Sequence, residues 1–213
     1  MARLAVFASG TGSNFVAIAA AVRAAHRHRI EFLLCDVEGA KVLDRAAELS
    51  VPTMLVTYRG QPREAVEKKV VRHLERRRVD VVALAGFMKL LTPFFLDRFK
   101  GPIINLHPSL LPRYPGAHAI VESFHSDDKE LGISVIRIDE GVDTGPVLLQ
   151  RSFHREGTES MAEIESRIHA LEHQWYPRVV LETLDAIDGM AKPRDNTADN
   201  SKDNSPAHSA GAS

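Results

Sequence analysis

A single cysteine, Cys35, occurs in 213 residues, so the chain cannot close an internal disulfide. That removes the main support for a secreted protein and fits a reducing cytoplasm. Cys35 stands in the apolar run FLLC, which reads as a small core residue rather than a reactive thiol. Long apolar runs are missing too: none approaches the ~18 residues a membrane span needs. The opening MARLAVFASG has neither the long apolar core nor the cleavage site of a signal peptide. Excess charge of either sign is also lacking. Lys and Arg number 27 against 28 Asp and Glu, a formal net charge of -1, so no global attraction to nucleic acid or to an anionic membrane is expected. The hydrophobic share of 44% and charged share of 26% are those of a soluble globular protein. The length suits one α/β domain, or two small lobes sharing a sheet.

What is present is an alternation of periods. RLAVFA reads as a buried strand and SNFVAIAAAVRAAH as a helix of good helix formers. IEFLLC, the helix AKVLDRAAEL and the strand TMLV follow. REAVEKKVVRHLERR then places Val66, Val70 and Leu74 on one helical face. VDVVALA is almost wholly apolar, as a strand covered on both faces should be, and GPIINLH is a fifth strand. This rhythm predicts a mainly parallel, twisted sheet with helices on both faces. It then changes. GISVIRID and PVLLQRSF, joined by the acidic EGVDTG, predict an antiparallel hairpin added in the C-terminal half. A long helix follows, with Ser160 and Glu163 as a capping box and Met161, Ile164, Ile168, Leu171 and Trp175 as its core stripe. Pro177 is expected to kink or interrupt it. The expected division is a domain over 1–189, with a phosphate-binding half (1–100) and a catalytic half (101–189). A disordered polar tail is expected over 190–213, where little remains to bury.

Three segments carry chemistry. FASGTGSNF sets Gly10, Gly12, Ser13 and Asn14 between the first strand and first helix. The unpartnered N–H groups that open a helix, with its dipole, favour an anion. The pattern is neither G-x-G-x-x-G nor a P-loop, which points to a simple phosphate rather than a dinucleotide or NTP. The bland alternative is a tight turn with Ser13 or Asn14 as N-cap.

NLHPSLLPRYPGAHA, residues 105–119, follows the apolar Ile103-Ile104 and holds three prolines. Asn105 and His107 alternate onto one side of an extended segment, at the carboxyl end of a parallel strand, where open α/β sheets put their ligands. Pro108 biases His107 toward an extended backbone. An amide beside an imidazole suits an oxyanion-bearing transition state: the amide donates to the developing charge and the ring handles the proton or adds positive charge. No serine or cysteine stands in a nucleophile elbow, which points to direct transfer between two bound substrates. The alternative is that both side chains merely satisfy a rigid turn.

In DEGVDTGP, Gly141 and Gly145 flank Asp143, so the turn can bring that carboxylate toward the sheet and His107, favouring the charged ring and fixing its orientation. A solvated hairpin tip is the alternative. No compact metal-ligand spacing appears, so no metal is expected. Glu172 lies beside the apolar stripe of the last helix, where it could accept hydrogen bonds from sugar hydroxyls or simply sit on a rim. KKVVRHLERRR reads as a solvated helix face. His73, His118, His125, His154, His169 and His173 read as surface or cap residues.

Taken together, SGTGSN, ALAGFMKLLTP, NLHPSLLPRYPG, DEGVDTGPVLLQ and RIHALEHQWYP, in this order over residues 3–185, resemble the phosphoribosylglycinamide formyltransferases, folate-dependent enzymes of purine synthesis. The resemblance implies a Rossmann-like formyltransferase fold. It also implies a reaction in which the amine of glycinamide ribonucleotide (5-phosphoribosylglycinamide) attacks the formyl carbon of the co-substrate 10-formyltetrahydrofolate. It makes Asn105, His107 and Asp143 the catalytic set. Gly12, Ser13 and Asn14 would hold the phosphate and Glu172 the ribose. Arg63, Met88, Lys89, Leu90 and Leu91, with Asn105, would line the folate site, and Leu111–Pro112 would be a cis bond. A homodimer is compatible with it; nucleic acid and membrane partners are not implied.

One departure stands out. Many relatives carry a histidine after the valine of the first hairpin strand, where this chain has Ile136, so no role is carried over for it. Two related enzymes are alternatives. Formyltetrahydrofolate hydrolase shares the asparagine–histidine–aspartate set but normally carries an extra N-terminal domain and needs no phosphate loop. Methionyl-tRNA formyltransferase usually carries a C-terminal RNA-binding domain. A catalytically inert nucleotide-binding module would lack one of the three residues, and none is missing.

Overall fold

The computed structural model describes residues 1–191. Strands β1 (Arg3–Ala8), β2 (Arg29–Cys35), β3 (Thr53–Leu55), β4 (Val81–Leu84) and β5 (Ile103–His107) alternate with helices α1 (Ser13–Ala25), α2 (Lys41–Glu48), α3 (Arg63–Arg77) and α4 (Pro93–Arg98). Helix α5 (Ala119–Phe124), strands β6 (Glu130–Arg137) and β7 (Val147–His154) and helix α6 (Met161–Ala191) complete the chain. The seven-stranded sheet has the order β3-β2-β1-β4-β5-β6-β7. Its first five strands pair in parallel, and β6 and β7 join as the expected antiparallel hairpin.

Period-2 alternation divides each central strand between two cores. Leu4, Val6 and Ala8 face a cluster containing Phe15, Ile18 and Val22 of α1 and Ile164, Ile168, Tyr176 and Leu184 of α6. Ala5 and Phe7 face the other, with Val70, Val71 and Leu74 of α3 and Phe95 of α4. Each fully buried Phe or Leu contributes about 1.5–3 kcal/mol, so the two faces together hold the sheet between its helices. Cys35 is buried in the first cluster, as a core residue.

The short helices α4 and α5 were not expected; six residues each are too few to show a clear apolar period. The capping box that opens α6 is formed. The Ser160 N–H donates to the Glu163 carboxylate at 2.7 Å, and the Glu163 N–H returns to Ser160 Oγ at 3.3 Å. Pro177 does not interrupt α6, which runs through it. A proline inside a helix costs ~3 kcal/mol, but Tyr176, Val179, Val180 and Leu184 around it are buried against the sheet and hold both sides in place. The helix continues to Ala191, past the domain boundary expected at 189; residues 192–213, most of the expected tail, lie outside the described residues.

Because β1 is flanked by β2 and β4, the chain leaves it in opposite directions, and a crevice opens beyond the carboxyl ends of β1 and β4. The buried Tyr176 hydroxyl of α6 ties β4 to β5, donating to the carbonyls of Leu84 at 2.8 Å and Ile104 at 3.1 Å.

Candidate active site

Two cavities meet in that crevice. One, of about 420 Å³, is lined by Gly10 to Asn14, His118, Glu165, His169 and Glu172, among others. The other, of about 290 Å³, is lined by Met88 to Leu91, Asn105, His107 and the acidic turn Asp139 to Asp143. Gly86, Met88, Leu106, Pro108 and Ala117 border both.

The first cavity begins with backbone. Helix α1 is opened by Gly12 at φ 78°, with no side chain capping it. The alternative in which Ser13 or Asn14 caps the helix is therefore not what forms; the first turn presents its N–H groups instead. Only glycine fits at 12, since a Cβ there would lie 2.4 Å from Val42 Cγ2. Asn14 reaches across to α6 and donates from Nδ2 to Glu172 Oε2 at 3.0 Å, while its own Oδ1 is buried without a partner. Glu172 is only 5% exposed, and the same Oε2 also receives His169 Nδ1 at 2.9 Å. That hydrogen bond raises the His169 pKa above its ordinary value against the opposing effect of burial. His169 was expected to be a bystander. Its spacing three residues before Glu172 was the available signal, because such residues are neighbours on a helix.

The second cavity is closed by His107 and Asp143, 36 positions apart in sequence. His107 is 3% exposed. Its Nε2 lies 2.7 Å from the Tyr114 carbonyl. A carbonyl only accepts, so Nε2 carries a hydrogen, and Nδ1 faces a second acceptor, Asp143 Oδ2, at 3.4 Å. Asp143 sits at φ 53°, and its Oδ2 also accepts the Gly116 N–H at 2.9 Å. The turn that carries it packs tightly on β6: a Cβ at Gly145 would lie 1.8 Å from the Arg137 carbonyl. Asn105 lies one step back along β5, and its cross-strand neighbour is the fully buried Ile136. An apolar wall therefore stands beside the amide.

The loop after His107 is held by side chains from the hairpin. Ser134, opposite His107 in register, accepts the Leu111 N–H at 3.0 Å and donates to the Ser109 carbonyl at 2.6 Å. Gln150 Nε2 donates to the Leu111 carbonyl at 2.8 Å. The Leu111–Pro112 bond is cis.

The wall formed by residues 86–91 is tied from behind. Ser9 Oγ accepts the Met88 N–H at 3.0 Å and donates to Asp36 at 2.5 Å, and Lys89 Nζ lies 3.8 Å from the other oxygen of Asp36. Glu67, buried on α3, accepts the Thr92 N–H at 3.0 Å and the Thr92 hydroxyl. Glu67 shares the buried face of α3 with Val70 and Val71; an acid inside an apolar stripe is the sign that sequence reasoning passed over. Arg63 is not on the cavity wall. Its guanidinium donates to the Leu90 carbonyl at 3.3 Å and braces the rim. Lys68, Lys69, Arg72, Arg76 and Arg77 of the basic run point to solvent. No cluster of His, Cys, Asp or Glu suited to a metal ion occurs among the described residues.

This arrangement pairs an anion-ready helix start with an amide, an imidazole and a carboxylate, and the formyl transferase family model matches residues 2–180. The chain belongs to the formyl transferase family. Within it, the chain is 39% identical to the phosphoribosylglycinamide formyltransferase of Bacillus subtilis (strain 168), over 86% of this chain and 95% of that protein. It is 33% identical to the Escherichia coli (strain K12) enzyme of the same name, over 92% of each. The crystal structure of glycinamide ribonucleotide transformylase 1 from Geobacillus kaustophilus superposes with a TM-score of 0.82 at 43% identity, covering 86% of this chain and 99% of that one. Formyltransferase relatives thus share the whole sheet with its hairpin, not only the phosphate loop.

Proposed function

We propose that this formyltransferase moves the formyl group of 10-formyltetrahydrofolate onto the amine of 5-phosphoribosylglycinamide, in the purine pathway and in the cytoplasm. The observation that carries the reading is the meeting of two cavities at one catalytic loop, one lined by a helix start and a buried carboxylate, the other by apolar residues and the His107–Asp143 pair. The N–H groups at Gly12, Ser13 and Asn14 suit the phosphate, and Glu172 suits the ribose hydroxyls. The apolar wall of Met88, Leu90 and Leu91, with Lys89 and the rim brace Arg63, suits the folate, a co-substrate consumed in the reaction.

The chemistry follows from where the groups stand. The amine nitrogen attacks the formyl carbon, and the carbonyl π electrons move onto oxygen. Asn105 donates to that oxygen. The attacking amine must lose a proton, and the His107–Asp143 pair, an imidazole beside a carboxylate, is the base that takes it. The C–N10 bond then breaks as the oxygen lone pair re-forms the carbonyl, and N10 leaves with a proton. Tetrahydrofolate and the formylated ribonucleotide are the products. Orientation of the two substrates can supply up to ~7–11 kcal/mol of the barrier, which explains a site whose effort goes into rigidity.

The test is an absorbance assay for the folate product with and without the ribonucleotide. Product only in its presence is the expected result. Product without any acceptor would transfer the reading to a hydrolase.

A further inference from the structure

The wall of the second cavity from Met88 to Leu91 is not held by its own packing. Met88 and Leu90 are 67% and 58% exposed, so little apolar burial fixes where they stand. Phe87, just before them, is anchored, its ring edge-on against Phe7 at 5.5 Å. Beyond it the backbone must be aimed by hydrogen bonds, and the Met88 N–H is taken by Ser9. This residue stands between β1 and the glycine turn. Its N–H donates to the Gly86 carbonyl at 3.1 Å, and its Oγ accepts the Met88 N–H at 3.0 Å.

A serine hydroxyl can turn its hydrogen toward several partners, but here the direction is fixed. Ser9 Oγ lies 2.5 Å from Asp36 Oδ1. A carboxylate accepts and the Met88 N–H only donates, so the hydrogen points to Asp36 and a lone pair to Met88. Asp36 stands just past β2 with its side chain 2% exposed, and its other oxygen faces Lys89 Nζ at 3.8 Å. One carboxylate thus acts on two consecutive wall residues: on the Met88 backbone through Ser9, by a bond of the strong charge-assisted kind, and on the Lys89 side chain directly. Ser9 and Asp36 line neither cavity, whereas Gly10, next to Ser9, lines the first and Gly86 and Met88 border both.

We infer that Ser9 and Asp36 are positioning residues for the folate co-substrate: Asp36 fixes the Ser9 hydroxyl, and Ser9 holds the 86–88 backbone that carries the folate wall, at a set distance from the glycine turn that begins one residue on. The relative placement of the two cavities, and so of amine and formyl carbon, is set by a contact outside both. The identity of the ligand on this wall rests on the function proposed above.

The experiment measures tetrahydrofolate binding to the full chain by calorimetry, with steady-state kinetics on the same preparations, for the wild type, Ser9→Ala, Asp36→Asn and the double variant. Ser9→Ala leaves the Met88 N–H and Asp36 without their shared partner. It is expected to weaken tetrahydrofolate binding and raise KM for 10-formyltetrahydrofolate ~10-fold. Asp36→Asn keeps the shape and loses the charge, and is expected to cost ~3-fold in both. KM for the ribonucleotide should stay within about 2-fold, because Ser9→Ala keeps its backbone N–H and leaves the N–H groups that open α1 untouched. On the Ser9→Ala background Asp36→Asn should add little, since Asp36 acts chiefly through the lost hydroxyl and its pairing with the exposed Lys89 is worth little. Losses that simply multiply mark two separate, merely structural roles and overturn the inference. Unchanged folate affinity in Ser9→Ala, or an equal rise in both KM values, overturns it too. A wild type that binds no tetrahydrofolate overturns the proposed function and the inference together; a wild type that binds it, beside variants that bind it equally well, overturns the inference alone. Should Ser9→Ala fail to fold, Asp36→Asn carries the test through the same split between the two KM values.

Discussion

The two cavities that meet at the His107 loop are built by different means. The proposed phosphate end of the first is backbone: a glycine in the left-handed region, a helix start with no side-chain cap, and a Val42 methyl in the place of any Cβ. The proposed catalytic end of the second is side chain held by its surroundings: His107 between the Tyr114 carbonyl and Asp143, and the loop pinned by Ser134 and Gln150. Anion binding needs only N–H groups in a fixed direction, which a local turn supplies. Proton transfer needs a chosen nitrogen at a chosen distance, which takes contacts from several strands.

That contrast can be broken most severely at the catalytic end. His107→Ala should lower kcat by ~10³-fold or more while the thermal transition shows a folded protein, the scale of a lost general base; near-normal turnover would take His107 out of the chemistry. Asp143→Asn comes next, at ~10²-fold in kcat, since the amide keeps the shape and loses the charge facing Nδ1.

At the phosphate end the expected losses are in binding. Gly12→Ala must displace Val42 and put an alanine at a left-handed φ, a destabilisation of at least about 1–2 kcal/mol. Its KM for the ribonucleotide should rise more than its kcat falls; denaturant melts and steady-state kinetics on the same preparation decide it. Glu172→Ala should raise that KM about 10-fold or more, the worth of a hydrogen bond to a charged group, with kcat nearly kept. An unchanged KM would remove Glu172 from ribose binding.

The smallest effect is the pH dependence that His169 lends to Glu172. The folded pKa of His169 is raised above its unfolded value, so its contribution is fully present below about pH 6.5 and is lost as pH rises through the elevated value. The His169 side chain is 51% exposed, and solvent screening keeps the contribution under about 1 kcal/mol. Urea midpoints at pH 6 and pH 8.5 should converge slightly between wild type and His169→Ala at the higher pH. A gap that widens there would contradict the pairing.

The same contrast explains what was legible beforehand. The strand–glycine–helix turn could be read from nine consecutive residues because its geometry is local. Asn105 and His107 could be placed on one side of β5 because strand alternation is local too. Asp36 and Tyr114 could not. Each matters through a partner distant in sequence or through a backbone angle, and nothing in its own neighbourhood distinguishes it from a surface residue. Pro177 shows the opposite failure. A strong local rule predicted a kink or a break; the helix is not broken, held by the burial of Tyr176, Val179 and Val180.

By itself, the sequence determined the order of strands and helices, the parallel sheet with its added hairpin, the glycine turn into α1 and the three side chains proposed for catalysis. These follow from hydrophobic period, glycine placement and residue chemistry, all readable over a few neighbouring positions. Tertiary structure alone decided that Asn14 reaches Glu172, that the Tyr114 carbonyl accepts from His107 Nε2, and that Arg63 bonds the Leu90 carbonyl at the rim. Those outcomes depend on distances between segments up to 158 residues apart, and a distance of that kind exists only once the sheet has brought the segments together.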